Sequence, residues 1–134
     1  MNIVEKLRDL LPNDRLSTGQ DELRVASIDE STLRPVTPLA VVWALNSQEI
    51  SEVVKACVET STPLTTRGAG SALEGSTIPL EKGIVLDLSR MNAVKHLWPE
   101  DLQVEVEPGI VFDDLNNRLK NEGKNVLFVL HATC

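Results

Sequence analysis

The chain has 134 residues, enough for one domain with one hydrophobic core. Apolar residues make up 42% of it and charged residues 25%, as in ordinary globular proteins, which argues against intrinsic disorder. The formal net charge is −7 and the basic residues are scattered, which argues against a nucleic-acid partner because phosphate backbones are bound by clustered lysine and arginine.

The N-terminal segment, residues 1–14, mixes acidic with basic side chains and therefore has the pattern of neither a signal peptide nor a transit peptide. No apolar run approaches the roughly 20 residues of a membrane-spanning helix. We expect a cytoplasmic protein without a transmembrane segment.

The first 38 residues are expected to form an N-terminal helix and a connector. Asn2 followed by Glu5 is typical of a capping box, and apolar residues then recur at helical spacing up to Pro12. The polar, proline-containing stretch that follows predicts a connector with one helical turn over residues 21–26.

Residues 39–66 have the pattern of a β-α-β unit. The apolar run 39–45 predicts a strand buried on both faces. Asn46 then caps a helix with an apolar stripe that includes Cys57, for which we expect core packing rather than reactivity. Pro63 ends this helix and begins a second strand. The two strands are expected to be parallel, with a right-handed crossover.

In the second half of the chain, apolar and polar residues alternate more than in the first half. Residues 84–88 predict another buried strand, and residues 94–98 and 102–107 predict two alternating strands joined by a tight turn. In the latter strand, Leu102, Val104 and Val106 should share one face. A helix should begin near Phe112 and end before Gly123, and residues 126–130 should form a last strand. Trp43 and Trp98 are expected to be core aromatic residues.

This pattern predicts an α+β fold with an α/β-like first half, in which a small parallel β-α-β unit is followed by a mainly antiparallel sheet. One domain is expected over residues 1–134, with its core at 39–134. Parallel strands place ligands at their carboxyl ends, and a glycine-rich loop follows the second strand at such an end.

That loop, TTRGAGSALEG at residues 65–75, allows two interpretations. Its glycines let backbone N–H groups converge on an anion, but a tight connection also needs glycine for its path alone. It is neither a Walker loop nor a G-x-G-x-x-G fingerprint, and no amphipathic helix follows it. A bound anion would therefore contact a nest of backbone amides. Arg67 is either a counterweight to the Glu74 carboxylate or, like it, a solvated surface group.

Three segments in order, PLTTRGAGSALEG, GIVLDLSRMNAV and VEVEPGIVFDDLNNRL, resemble the N-terminal part of the FAD-linked oxidases of the vanillyl-alcohol oxidase and p-cresol methylhydroxylase type. The upstream STLRPVTPLAVVWALNSQEISEVVKAC resembles the same group. The most similar subgroup contains D-lactate dehydrogenases and the D-subunit of glycolate oxidase. The resemblance spans about residues 29–123 and implies that the domain is an FAD-binding one.

The resemblance also implies that the loop wraps the FAD pyrophosphate with backbone amides. Ser71 stands where threonine is usual and keeps a hydroxyl donor, whereas Ala72 loses any hydroxyl contact made there. Pro108 and Gly109 match a turn that lies near the cofactor in the family. The implied cofactor-binding residues are Arg67, Gly68, Ala69, Gly70, Ser71, Ala72, Gly75, Pro108 and Gly109.

The tail VLFVLHATC departs from the family, which continues with a proline-rich segment, a further glycine-rich segment and a substrate domain. The resemblance therefore implies a truncated FAD-binding domain of a 2-hydroxy-acid flavin oxidoreductase that is not catalytically competent alone. No catalytic constellation is predicted, and His96 and His131 lack the ligand spacing of a metal site.

Two alternatives stay open at this point. One is a non-catalytic remnant that keeps the fold without FAD, and the other is an interaction subunit that completes its site with a separate chain. Apolar surface around residues 126–130 would favour a homodimer.

Overall fold

The structure is a computed structural model that describes residues 2–121. The predicted strand 126–130, Gly123 and His131 lie outside the described residues. The elements in chain order are α1 (Ile3–Leu10), a 3₁₀ turn (Asn13–Arg15), β1 (Leu16–Ser17), α2 (Gln20–Ala26), β2 (Ala40–Trp43), α3 (Ser47–Glu59), β3 (Leu64–Arg67), β4 (Ile84–Asp87), β5 (Val94–Trp98), β6 (Gln103–Val106) and α4 (Phe112–Asn121).

Four strands form one sheet in the order β1-β2-β4-β3. β4 is parallel to both β2 and β3, and β1 is antiparallel to β2. The predicted parallel β-α-β unit is therefore present, but β4 lies between its two strands. The register pairs Trp43 and Arg67 with Asp87, so the carboxyl ends of the three parallel strands lie level with one another.

β5 and β6 form a separate antiparallel hairpin. A mixed sheet with a parallel part and a second antiparallel sheet confirms the predicted α+β class. The hairpin departs from the prediction at Leu102, which is 68% exposed and has φ of +54°. Leu102 belongs to the turn instead of the strand, so its predicted shared face with Val104 and Val106 is wrong. Trp98 is 40% exposed, so its expected core position is wrong, and its ring centroid lies 4.2 Å from that of His96.

The sheet is covered on both faces. α1 and α3 pack on one face, where Leu7, Val53 and Cys57 are buried against β2 and β4. α2 packs on the other face, with Ala26 against Val41 and Val85. This double coverage explains why β2 and β4 are continuous apolar runs.

The helix starts follow from their caps. Asn2 and Glu5 form the predicted capping box of α1, and the Asn46 side chain accepts a hydrogen bond of 2.9 Å from the Glu49 N–H at the start of α3. Cys57, on the buried stripe of α3, is 3% exposed, and this burial raises the pKa of its thiol. Its expected core packing is confirmed.

Candidate anion-binding site

The glycine-rich loop leaves the sheet where β3 ends. Arg67 is the last residue of β3, and the backbone returns to the sheet at Ile84. Residues 68–74, 76 and 77 line a cavity of about 400 Å³. The loop therefore lies at the carboxyl edge of the parallel strands, where the sequence predicts a ligand.

The backbone donors of the loop have no hydrogen-bond acceptor among the residues that the structure describes. Within the described part of the chain, residues 2–121, no hydrogen bond uses a backbone N–H of residues 68–76 as its donor. At the far end of the loop, the Ile78 N–H donates to the Gly75 carbonyl at 3.1 Å. An uninterrupted run of available N–H donors is what a backbone nest offers to an anion.

Two glycines give the loop its path. Gly70 has φ of +74° and Gly75 has φ of +76°, in the left-handed region that disfavours side chains. A Cβ at Gly70 would overlap the guanidinium of Arg67, and one at Gly75 would overlap the side chain of Leu33. Both positions need glycine for backbone angle and for space.

Arg67 lies beneath the loop. Arg67 is only 7% exposed, and one of its guanidinium nitrogens donates to the backbone carbonyls of Val25 at 2.9 Å and Ile28 at 3.3 Å. Glu74 is exposed on the surface of the loop. Neither interpretation of Arg67, as a counterweight to Glu74 or as a solvated surface group, describes this arrangement.

The turn that follows α2 holds the loop at two further points. The Glu30 N–H donates to the Ala72 carbonyl at 3.1 Å, and the Thr77 hydroxyl contacts the Asp29 carboxylate at 3.5 Å. A hydrogen bond from the Ser31 side chain lowers the pKa of Asp29, burial opposes this shift in part, and further hydrogen bonds from Ser31 and Thr77 add to the lowering. Sequence reasoning missed Asp29 and its turn, which fall within the predicted connector.

The turn at Pro108 and Gly109, in the third segment of the resemblance, reaches the loop. Gly109 donates its N–H to the Met91 carbonyl at 2.8 Å, and a Cβ on Gly109 would overlap the Leu88 carbonyl. Pro108 faces Gly68, since a Cβ built on Gly68 would lie 4.0 Å from the Pro108 carbonyl oxygen. Residues predicted from two distant motifs therefore lie side by side.

The remaining predicted residues have simpler surroundings. Ala69 and Ser71 are exposed on the loop, Ala72 is half-buried, and all three line the cavity. His96 is exposed on the hairpin. Among residues 2–121, no group of three or more His, Cys, Asp or Glu side chains is placed to hold a metal ion. No helix in that same range is long and apolar enough to cross a membrane.

Known proteins are similar to this chain in sequence and in fold. The family described as FAD binding domain matches residues 38–131. The mitochondrial cytochrome-type D-lactate dehydrogenase of Arabidopsis thaliana is 32% identical over 123 residues, covering 90% of this chain and 22% of that protein. The glycolate oxidase subunit GlcD of Bacillus subtilis is 33% identical over 99 residues, covering 74% of this chain and 21% of that protein.

A solved structure of p-cresol methylhydroxylase with substrate bound superposes with a TM-score of 0.82 at 28% identity. It covers 91% of this chain, which corresponds to 24% of the solved one. The chain thus spans less than a quarter of the length of each of these three proteins.

Proposed function

The chain belongs to the FAD binding domain family, and we propose that its glycine-rich loop binds the pyrophosphate of FAD. The observation that carries this proposal is the run of backbone N–H groups at residues 68–76 that no acceptor within residues 2–121 uses. Phosphate oxygens accept hydrogen bonds from such groups without needing a basic side chain. The donor set therefore fits an anionic group even in a protein of net charge −7.

The residues of the loop have different roles in the proposed pyrophosphate binding. Gly68 and Gly70 keep side chains away from the amides, and Gly75 turns the chain at the far end of the loop. Ser71 adds an exposed hydroxyl donor beside the amides, whereas Ala69 and Ala72 contribute backbone alone. Pro108 and Gly109 form the neighbouring wall beside Gly68.

We propose that the reaction to which this cradle contributes is the oxidation of a 2-hydroxy acid of the D-lactate or glycolate type. The names of the relatives, D-lactate dehydrogenase and glycolate oxidase, support this substrate class. FAD, when bound, supplies the acceptor for the hydride removed from such a substrate. In this proposal the described residues bind and orient the pyrophosphate. We expect no turnover by this chain alone.

A nucleotide titration tests the proposal. Purified protein should bind FAD saturably at one site, measured by quenching of flavin fluorescence, and ADP should compete because it carries the same pyrophosphate. FMN, with a single phosphate, should bind more weakly, and riboflavin more weakly still. Equal binding of riboflavin and FAD, or failure of ADP to compete, would place the recognition outside the loop. No binding of FAD or ADP would favour the non-catalytic remnant.

The same preparation tests the finer part of the proposal. D-lactate or glycolate is added with a dye as electron acceptor, before and after loading with FAD. Dye reduction by the chain alone would overturn the expectation of no turnover. Dye reduction that appears only with a co-purifying polypeptide would support the interaction-subunit alternative.

A further inference from the structure

The glycine-rich loop has few hydrogen bonds of its own and is held from outside. Within residues 68–78 the one backbone bond is that from Ile78 to Gly75. Within residues 2–121, the further hydrogen bonds that hold the loop, including those of the Arg67 side chain at its start, join it to residues 25–31, the end of α2 and the turn after it. We name this segment the α2 brace.

The brace meets the loop at its start, its middle and its end. At the start, Arg67 donates to the carbonyls of Val25 and Ile28. In the middle, the Glu30 N–H donates to Ala72. At the end, Asp29 receives hydrogen bonds from Thr77.

The position of Arg67 sets its role. Its guanidinium is engaged with backbone carbonyls of the brace and lies in contact with Gly70 from below, since a Cβ there would overlap it. The planar guanidinium therefore packs against the left-handed turn at Gly70. A lysine ammonium cannot reproduce this, because it has neither the planar surface nor the fixed fork of donors.

We propose that Arg67 and the α2 brace are positioning elements for pyrophosphate binding, which set the directions of the loop amides without Arg67 itself being the anion's ligand. This inference rests on the proposed function for its ligand. Its physical basis is preorganisation: amides already held in one arrangement lose less conformational freedom when the ligand binds.

The test compares Arg67→Lys and Arg67→Met with Arg24→Met. Arg24 is an exposed arginine on α2 that forms, within residues 2–121, one ion pair, a 3.9 Å contact with Asp21 on the same helix, so it is a matched control. ADP affinity is measured by calorimetry at several salt concentrations, after thermal unfolding has shown that each variant is folded.

A positioning role predicts that Arg67→Lys and Arg67→Met both weaken ADP binding by about tenfold or more, with an unchanged dependence of affinity on salt. Arg24→Met should bind as the parent protein does. Retained affinity in Arg67→Lys, together with a shallower salt dependence in Arg67→Met, would show that Arg67 is a direct anion ligand and would overturn the proposal.

Backbone ¹⁵N relaxation of residues 68–76 in the ligand-free protein gives a readout that does not depend on FAD binding. The order parameters of these amides should fall in Arg67→Met and stay unchanged in Arg24→Met. Asp29→Asn, a milder change at the other end of the brace, should loosen residues 74–77 if the Arg67 variants do not fold. Unchanged order parameters would overturn the brace. Absent ADP binding by the parent protein would overturn the proposed function alone.

Discussion

Gly70 lies directly over the guanidinium of Arg67, so the most glycine-dependent point of the loop and its most buried charged side chain are in contact. Gly70 has a left-handed φ of +74°, and the N–H groups around it donate to no acceptor within residues 2–121. The backbone path and the buried side chain are therefore parts of one arrangement.

This contact predicts different costs for alanine at two neighbouring glycines. Gly70→Ala should lower the free energy of unfolding by about 1–2 kcal/mol from its backbone angle, with further loss because its Cβ displaces Arg67. Gly68→Ala is the control, because its backbone angle is ordinary and its Cβ would meet only the Pro108 carbonyl at 4.0 Å. The free energy of unfolding of Gly68→Ala should differ from that of the parent protein by less than about 0.5 kcal/mol. Urea unfolding measures both, and equal losses would contradict the structural distinction.

The free amides predict the effect of removing one of them. Ala69→Pro deletes one N–H donor in the run 68–76, and it follows Gly68, which tolerates a proline after it better than other residues do. FAD affinity should fall about tenfold or more, as expected for loss of a hydrogen bond to a charged group. Ala69→Ser keeps the donor and should bind FAD as the parent protein does. Calorimetric titration compares the two, and equal affinities would mean that this amide does not contact the ligand.

The sequence carries strong local signals for much of this fold. Capping residues and apolar stripes predict α1 and α3, because both depend on neighbours three and four positions apart. β2 and β4 are recognisable because burial on both faces makes them continuous apolar runs. The loop is recognisable because glycine adopts the left-handed backbone angles at Gly70 and Gly75 without steric cost.

Other features depend on long-range contacts that no local pattern encodes. β4 lies between β2 and β3, a strand order that apolar runs alone do not specify. β1, with two residues, is too short to show a period. The local sequence suggests a surface position for Arg67. Its hydrogen-bond partners, the carbonyls of Val25 and Ile28, are backbone atoms about 40 positions away and leave no local pattern. The α2 brace is polar and irregular, so its role emerges only when the loop is placed against it.

The lowered pKa of Asp29 predicts how the brace responds to acid. A carboxyl whose folded-state pKa lies below its ordinary value of 3.8 stabilises the folded state above that value. The contribution is lost progressively as the pH falls below 3.8 towards the folded-state pKa. Asp29→Asn should remove this part of the pH dependence and leave the rest of the curve unchanged. Urea unfolding of both proteins between pH 3 and 6 measures it, and superimposable pH profiles would contradict the assigned hydrogen bonds.

Burial of Cys57 predicts that folding stability falls as the pH rises into the alkaline range. Its folded-state pKa is raised above the ordinary 9.0 because the thiolate would have to form inside the α3 face of the core. The neutral thiol therefore stabilises the folded state fully below pH 9, and this contribution declines as the pH rises above 9 towards the folded-state pKa. Cys57→Ala removes the titrating group, so the stability difference between the two proteins should be constant up to about pH 8.5 and then shrink.

Thiol reactivity checks the same burial independently. In a Cys134→Ser background, Cys57 is the only thiol, and a disulfide reagent at pH 8 should modify it at least about tenfold more slowly in the folded protein than in urea. The folded structure slows the reaction in two ways, since it restricts access and lowers the thiolate fraction. Equal rates with and without urea would mean that the α3 face opens readily, and the stability difference with Cys57→Ala would then be independent of pH.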